Sequence, residues 1–515
     1  MSQATIYILV VMVAYLGGVL AIGYYCSKQS SSAAEFYLGG RRLGPYVTAM
    51  SAEASDMSSY FMMGLPGLAH LSGVADVGWT IIGLAVGTYL SWLLVARRLR
   101  RYSHIVDATT LPQFFSERFH DRNNILCAIS AVVIIIFFIP YTASGFAGCG
   151  KLFSSIFEMD YTTAMVVSAI IIVGYTAMGG FLAASFTDFI QSIVMTTALV
   201  AVLIFAFITA GGPDAVFDNV RSLPGYLSFT ETYIEKTAGS QPYTFLDIIA
   251  TLSWGLGYFG MPHFLLRYMA IKEEKKLYVS RRVASVWVTC SMTVVVLIGI
   301  AGRTLSANGS IAVLNGSATE TVLVRIADLI ASYGTLHAAL AGIILTGILA
   351  SVMSTADSQL LAAASSVSQN LMQETFHMKL SERVSMIAAR VTVLIIAVLG
   401  VFLAGDPDSS VFGIVSFAWA GFGGAFGPVM ICCLFWKRAT LQGAVAGMSA
   451  GGIMIFIWKF LIKPCGGVWG IYELLPAFMT GLIIMVLVSL MTEKPSEEIE
   501  EEFVLAGSEE ELVQK

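Results

Sequence analysis

Charge is scarce in this sequence. Asp, Glu, Lys and Arg make up 12% of its 515 residues, against roughly 25% in an average soluble domain. So few charges cannot coat a water-facing surface, and with 57% hydrophobic residues and a mean hydropathy of +0.78 the chain reads as a membrane protein. Signatures of catalysis are also missing. There is no Walker A loop, Rossmann fingerprint or Gly-x-Ser-x-Gly elbow, which argues against ATP-driven transport in cis. The 7 cysteines are odd in number and form no Cys-x-x-Cys pair, and the 6 histidines lack metal-ligand spacing, so neither a disulfide framework nor a zinc centre is expected. An intramembrane enzyme would need a nucleophile and base at membrane depth, and His263 has no partner in sequence for that work. The expectation is a protein that is not an enzyme and does not bind nucleic acid.

What the chain has instead is apolar length. About 13 stretches of the length that crosses a hydrocarbon core recur at 5–26, 46–69, 77–96, 124–150, 161–182, 187–211, 245–270, 283–304, 339–371, 385–404, 410–434, 442–462 and 469–491. They predict an all-α polytopic membrane protein with a single transmembrane domain over 1–491 and a short acidic tail over 492–515. The first run lacks a basic n-region and a small-residue cleavage signature, so it is expected to stay as a span. Lys28, Arg41, Arg42, Arg97, Arg98, Arg100, Arg101, Lys275, Arg281 and Arg282 fall in alternate short loops, whereas the other loops hold few basic residues. By the positive-inside rule this puts the N-terminus outside and the acidic tail, Glu497 to Glu511, in the cytoplasm of a cell whose plasma (inner) membrane holds the chain.

Two spans contain what a plain membrane helix avoids. In 46–69 the polar run Ser51-Ala52-Glu53-Ala54-Ser55-Asp56-Met57-Ser58-Ser59 precedes Gly64-Leu65-Pro66-Gly67. In 245–270 the run Gly255-Leu256-Gly257-Tyr258-Phe259-Gly260-Met261-Pro262-His263 is rich in Gly and ends in Pro. Irregular backbone at that depth survives only where it lines a protein-buried or watery cavity. The breaks lie five spans apart, at corresponding places in two five-helix halves (spans 2–6 and 7–11, a core of about 46–434), the pattern of an inverted-repeat secondary transporter. Helices 5–26, 442–462 and 469–491 would be peripheral.

Glu53 and Asp56 are acidic groups inside a span and are functional-site candidates on that ground; the alternative is that each pairs with a buried Arg or hydroxyl. Asp188, at the head of the expected sixth span, is open to reading as a helix cap. Ser351, Ser354, Thr355 and Ser358 recur at i, i+3, i+4 and i+7, an oxygen-bearing stripe beside Asp357. Such a stripe suits a hard cation that wants several oxygen ligands, or else a close helix-packing seam.

The stretches Gly39-Gly40-Arg41-Arg42-Leu43-Gly44-Pro45, Ala54-Ser55-Asp56-Met57-Ser58, Met178-Gly179-Gly180-Phe181, Thr187-Asp188, Trp254-Gly255-Leu256-Gly257-Tyr258-Phe259-Gly260, Met353-Ser354-Thr355-Ala356-Asp357-Ser358-Gln359-Leu360, Trp419-Ala420-Gly421-Phe422-Gly423 and Gly443-Ala444-Val445-Ala446-Gly447 resemble the sodium:solute symporter family, closest to its sodium/proline branch. The resemblance implies a LeuT-like five-plus-five core and Na+ as coupling ion. It implies a sodium site of the carbonyls of Ala54, Met57 and Ser351 and the hydroxyls of Ser354 and Thr355, with Asp56 nearby. For some relatives it implies a second sodium, here at Asp188, Ser354, Asp357 and Ser358. It also implies a substrate pocket of Ser58, Tyr60, Tyr141, Trp254, Tyr258 and Pro262 for a small amino acid, proline first, in a bilayer protein whose monomer suffices for transport. Departures from the branch pattern add Glu53, where a small residue is usual, Ser59 for Gly, Tyr60 for Trp and Met261 for Gln. All four surround the expected pocket. Another small amino acid, a betaine or a cationic solute stays open as cargo, and a transporter-like membrane sensor is the rival from another class.

Overall fold

The computed structural model describes residues 2–27, 37–176 and 180–508. Lys28, the Met178-Gly179 part of one motif and the last residues of the acidic tail lie outside them. Among the described residues, 10 helices are long and apolar enough to cross a membrane. In chain order the helices are α1 (Gln3–Ser27), α2 (Pro45–Asp56), α3 (Leu65–Ser72), α4 (Val74–Ile105), α5 (Leu111–Arg118), α6 (Ile125–Phe157), α7 (Tyr161–Thr176), α8 (Phe181–Thr209), α9 (Phe245–Leu252) and α10 (Pro262–Ala270). They continue with α11 (Leu277–Ala307), α12 (Val322–Ala331), α13 (Thr335–Ser365), α14 (Glu382–Leu403), α15 (Val411–Phe435), α16 (Leu441–Ile457), α17 (Leu474–Met491) and α18 (Glu497–Gly507).

The expected spans 46–69, 161–182 and 245–270 are not among the long helices. Of the second, Tyr161–Thr176 is helix among the described residues, and the first and third are broken. Between α2 and α3 the backbone leaves the helical region at Met57 (φ −76°, ψ 73°), and the Ser58 N–H turns to the Asp56 carbonyl at 2.8 Å instead of extending the ladder to Ala54. A wide turn over Tyr60–Gly64 then leads into α3, where Pro66 falls in the first turn and needs no N–H partner. Between α9 and α10, Ser253–Phe259 winds in tight 3₁₀ turns, Met261 is extended and Pro262 restarts the helix.

Two boundaries differ from the sequence reading. Span 3 runs on to Ile105, because Arg97, Arg98, Arg100 and Arg101 are good helix formers and continue α4 beyond its apolar stretch. Span 6 begins at Phe181, so Asp188 lies two turns inside α8 and caps nothing. The core sits at α15 and α13, whose apolar windows are 89% and 72% buried, while α1 and α16 are only 22% and 28% buried at the periphery. Around that core α2 packs against α8, α10, α11 and α13, and α4 packs against Ser253–Phe259, so the two broken spans lie side by side.

The described part of the tail carries the helix α18. Ser496 caps α18, which lies across the end of α4: Arg101 donates to the Leu505 carbonyl, the Arg98 guanidinium stacks over Phe503, and Lys437 pairs with Glu500.

Candidate functional site

The break in α2 frees the Ala54 carbonyl from its helical partner, and α13 supplies a new one. Ser354 Oγ lies 2.7 Å from that carbonyl and 3.2 Å from the Ser351 carbonyl, while the Thr355 hydroxyl donates to the Ser351 carbonyl at 3.1 Å. Ala54, Ser351, Ser354 and Thr355, four of the five residues expected to bind sodium, therefore meet at one buried crossing of α2 and α13. Met57 sits in the break itself, its N–H held by the Glu53 carbonyl. A cluster of hydroxyl and carbonyl oxygens matches the ligand preference of a hard cation.

Asp56 is fully buried beside this crossing. Its Oδ2 accepts from the Tyr258 hydroxyl at 2.7 Å and from the Tyr60 hydroxyl at 3.4 Å, its carbonyl accepts from Tyr141 at 3.2 Å, and its Oδ1 has no protein partner. Three tyrosines from three segments thus converge on one residue. Over them lies an aromatic stack in which Trp254 faces Tyr60 at 6.1 Å, Trp419 at 5.9 Å and Tyr472 at 5.1 Å, while Tyr258 meets Trp419 edge-on at 5.1 Å. The Trp419 indole donates to the Trp254 carbonyl at 2.8 Å. Met261 and Pro262 are buried at the start of α10, and Ser58 lies in the α2 break. Two candidates point to other helices: the Ser59 hydroxyl donates to the Ser144 carbonyl on α6, and Glu53 accepts from Thr88 and Trp92 on α4.

The acidic cluster expected to hold a second cation contains a residue the sequence reading passed over. Arg267 on α10 donates through Nη2 to Asp188 Oδ2 at 3.0 Å and to Ser358 Oγ at 2.5 Å, through Nη1 to the His263 carbonyl, and through Nε to Ser51 Oγ. The Ser358 hydroxyl also reaches Asp357 Oδ1 at 3.2 Å. Asp188, Asp357 and Ser358 are thus brought together, with Ser354 engaged at the α2 crossing instead. Two carboxylates face one guanidinium, and Asp188 Oδ1 and Asp357 Oδ2 are buried without partners. Arg267 was findable by the same rule that singled out Glu53 and Asp56, an ionisable residue inside a span. Trp419 and Tyr472 carried no such signal, since aromatic residues are common in membrane helices.

The model of the sodium:solute symporter family matches residues 36–451. The chain is 38% identical over 496 residues to a sodium/proline symporter of Haemophilus influenzae, covering 95% of this chain and 96% of that protein. It is 37% identical over 483 residues to the osmoregulated proline transporter OpuE of Bacillus subtilis, covering 94% of each. In fold it is similar to a Na+-coupled sialic acid symporter solved substrate-bound and outward-open, with a TM-score of 0.76 at 18% identity over 95% of this chain and 99% of that one. It is also similar to Mhp1, a nucleobase-cation-symport-1 family transporter, with a TM-score of 0.54 at 14% identity over 91% and 98%. These likenesses agree with the inverted-repeat core read from the two broken spans. On a family match across most of its length, and on relatives sharing more than a third of their residues end to end, this chain belongs to the sodium:solute symporter family.

Proposed function

We propose that the protein couples sodium entry to uptake of a small amino acid, with proline as first cargo, by alternating access. The observation that carries this reading is the crossing of Ser354 with the freed Ala54 carbonyl directly beside Asp56 and its three tyrosines. Relatives named as proline transporters support the cargo. Sodium would be held by Ala54, Met57, Ser351, Ser354 and Thr355, tying the α2 break to α13. The cargo would lie against Tyr60, Tyr141, Trp254, Tyr258 and Pro262, its ring packed on aromatic faces and its ammonium attracted to them by about 0.5–2 kcal/mol. Its carboxylate would meet the backbone N–H groups and positive helix end that a break exposes.

Sodium binding fixes the break, the cargo completes the pocket, and the broken helices then rock against the scaffold to open inward. One sodium crossing supplies about 2.3 kcal/mol per 100 mV, and a tenfold gradient adds about 1.4 kcal/mol. Together they support accumulation of a neutral cargo by a few hundredfold. The unpaired Asp188 Oδ1 and Asp357 Oδ2 favour a second sodium beside Arg267. The N-terminus lies outside, the tail lies in the cytoplasm beneath the plasma membrane, and one monomer suffices. Counterflow of labelled amino acids into proteoliposomes tests the reading: proline exchange in sodium that stops in choline is expected, and exchange indifferent to sodium overturns it.

A further inference from the structure

Glu53 is fully buried and, among the described residues, has no basic partner. Its Oε1 accepts two hydrogen bonds from adjacent turns of α4, from Thr88 Oγ1 at 2.8 Å and from Trp92 Nε1 at 2.9 Å. Trp92 in turn packs edge-on against Tyr268 at 4.4 Å, the Tyr268 hydroxyl donates to Ser91 Oγ at 3.1 Å, and the Ser91 hydroxyl donates to the Tyr258 carbonyl at 3.1 Å. The Tyr258 hydroxyl closes the circuit on Asp56, three residues after Glu53 and on the same face of α2. Along its other edge α4 meets the broken stretch backbone to backbone. A Cβ on Gly83 would stand 2.5 Å from the Leu252 carbonyl oxygen, and one on Gly87 would collide with Gly255. The helix α4 is therefore a strut shared by both broken spans, and Glu53 is its fastening to the first of them.

We infer that Glu53 is a positioning residue that works as a hydrogen-bond acceptor: it locks α4 to the α2 break and, through Ser91 and Trp92, sets the Tyr258 hydroxyl on Asp56. The acceptor is what matters, because a carboxyl or carboxamide oxygen satisfies Thr88 and Trp92 alike, whereas truncation strands two buried donors. The inference rests on the transport reading for its kinetic arm only.

The test compares Glu53→Gln, Glu53→Ala, Trp92→Phe and the double variant Glu53→Ala with Trp92→Phe. In sodium-dependent counterflow, Glu53→Gln is expected to hold KM within about twofold of the unmodified protein. Glu53→Ala should raise KM about tenfold with a smaller change in kcat, as loss of a buried acceptor implies. The double variant should be no worse than Glu53→Ala, since both remove one interaction. A Glu53→Gln protein as impaired as Glu53→Ala, or additive losses in the double variant, overturns the acceptor role. The second arm does not depend on cargo, and its deciding comparison, the unmodified protein against Glu53→Gln, does not use the truncated variant. The indole N–H hydrogen-bond marker of Trp92, obtained by ultraviolet resonance Raman difference against Trp92→Phe, should persist in Glu53→Gln and shift in Thr88→Val far less than in Glu53→Ala. Its loss in Glu53→Gln overturns the inference. Absence of sodium-dependent counterflow in the unmodified protein overturns the transport reading and leaves the Raman arm to decide the clamp.

Discussion

Replacing Ser354 by Ala removes one hydroxyl with two jobs. In the proposed site it would be an oxygen ligand when sodium is bound; in the structure it is the donor that satisfies the Ala54 carbonyl, which the break has deprived of its helical N–H. Loss of a ligand oxygen in a buried site, by analogy with loss of a hydrogen bond to a charged group, weakens sodium binding by about 1.5–3 kcal/mol, a roughly 10- to 150-fold rise in half-saturating sodium. Thr355→Ala removes a similar ligand, but its hydroxyl bonds only the Ser351 carbonyl of its own helix. The two variants should therefore look alike in sodium dependence and differ in sodium-free stability. Ser354→Ala strands a buried carbonyl and should lower the sodium-free melting temperature more, by the equivalent of about 1–3 kcal/mol. Sodium activation of counterflow at saturating substrate measures the first effect, and thermal unfolding in detergent with and without sodium measures the second. Unchanged half-saturating sodium in both variants refutes the site, and equal sodium-free stability refutes the stranded-carbonyl argument.

Asp56→Asn keeps shape while removing charge from the acceptor of Tyr258 and Tyr60, so sodium-driven uptake should fall about 10- to 150-fold at normal membrane insertion; sodium activation like that of the unmodified protein would make Asp56 structural. Reversal potentials should give two sodium ions per substrate, and Asp188→Asn should give one; a ratio of one in the unmodified protein rules out the second site. Lys151 and Glu320 form a buried pair at 2.7 Å, and Glu320 also accepts from the first N–H groups of α15 at Val411 and Phe412. Lys151→Met strands that carboxylate and should cost about 3–5 kcal/mol in thermal unfolding, with part recovered by adding Glu320→Gln; additive losses refute a direct pairing. Replacing Tyr60 by Trp and Met261 by Gln together restores the usual branch pattern, so proline counterflow should be retained or improved, and its loss would count against proline as cargo.

The sequence made the breaks legible because their cause is local. Polar residues, Gly and Pro at membrane depth cannot sustain an apolar helix, and the four-residue spacing of span 9 places Ser354 and Thr355 on adjoining positions without any tertiary knowledge. The partners of those residues depend on which helices touch, and that was not legible. A span beginning at 187 makes Asp188 read as a cap, whereas the helix begins at Phe181 and turns the Asp188 carboxylate inward to Arg267. Trp419 entered the reading only as part of a glycine-rich motif. Its role depends on Gly257, which lies so close to the indole that a Cβ there would overlap it, letting the Trp419 N–H reach the Trp254 carbonyl. Hydroxyl ladders are periodic and can be counted, whereas an aromatic stack drawn from α15, the α9–α10 break and Tyr472 has no period.

The same distinction bears on cargo. Four departures from the branch pattern surround the break, and their contacts separate them. Ser59 spends its hydroxyl on the Ser144 carbonyl and Glu53 spends Oε1 on α4, so these two adjust how the broken helix is held. Tyr60 differs, because its ring lies against Trp254 and its hydroxyl reaches toward Asp56. A phenol is smaller than an indole, and its hydroxyl can both donate and accept beside the carboxylate, whereas an indole N–H only donates. Selectivity against larger or more polar amino acids should therefore be looser here than a Trp at this position would allow. Because the crossing of Ser354 and Ala54 contains none of the four departures, the proposed sodium site would keep its oxygen ligands through a change of cargo at Tyr60, and any effect of that change on coupling would have to pass through the Tyr60 hydroxyl on Asp56.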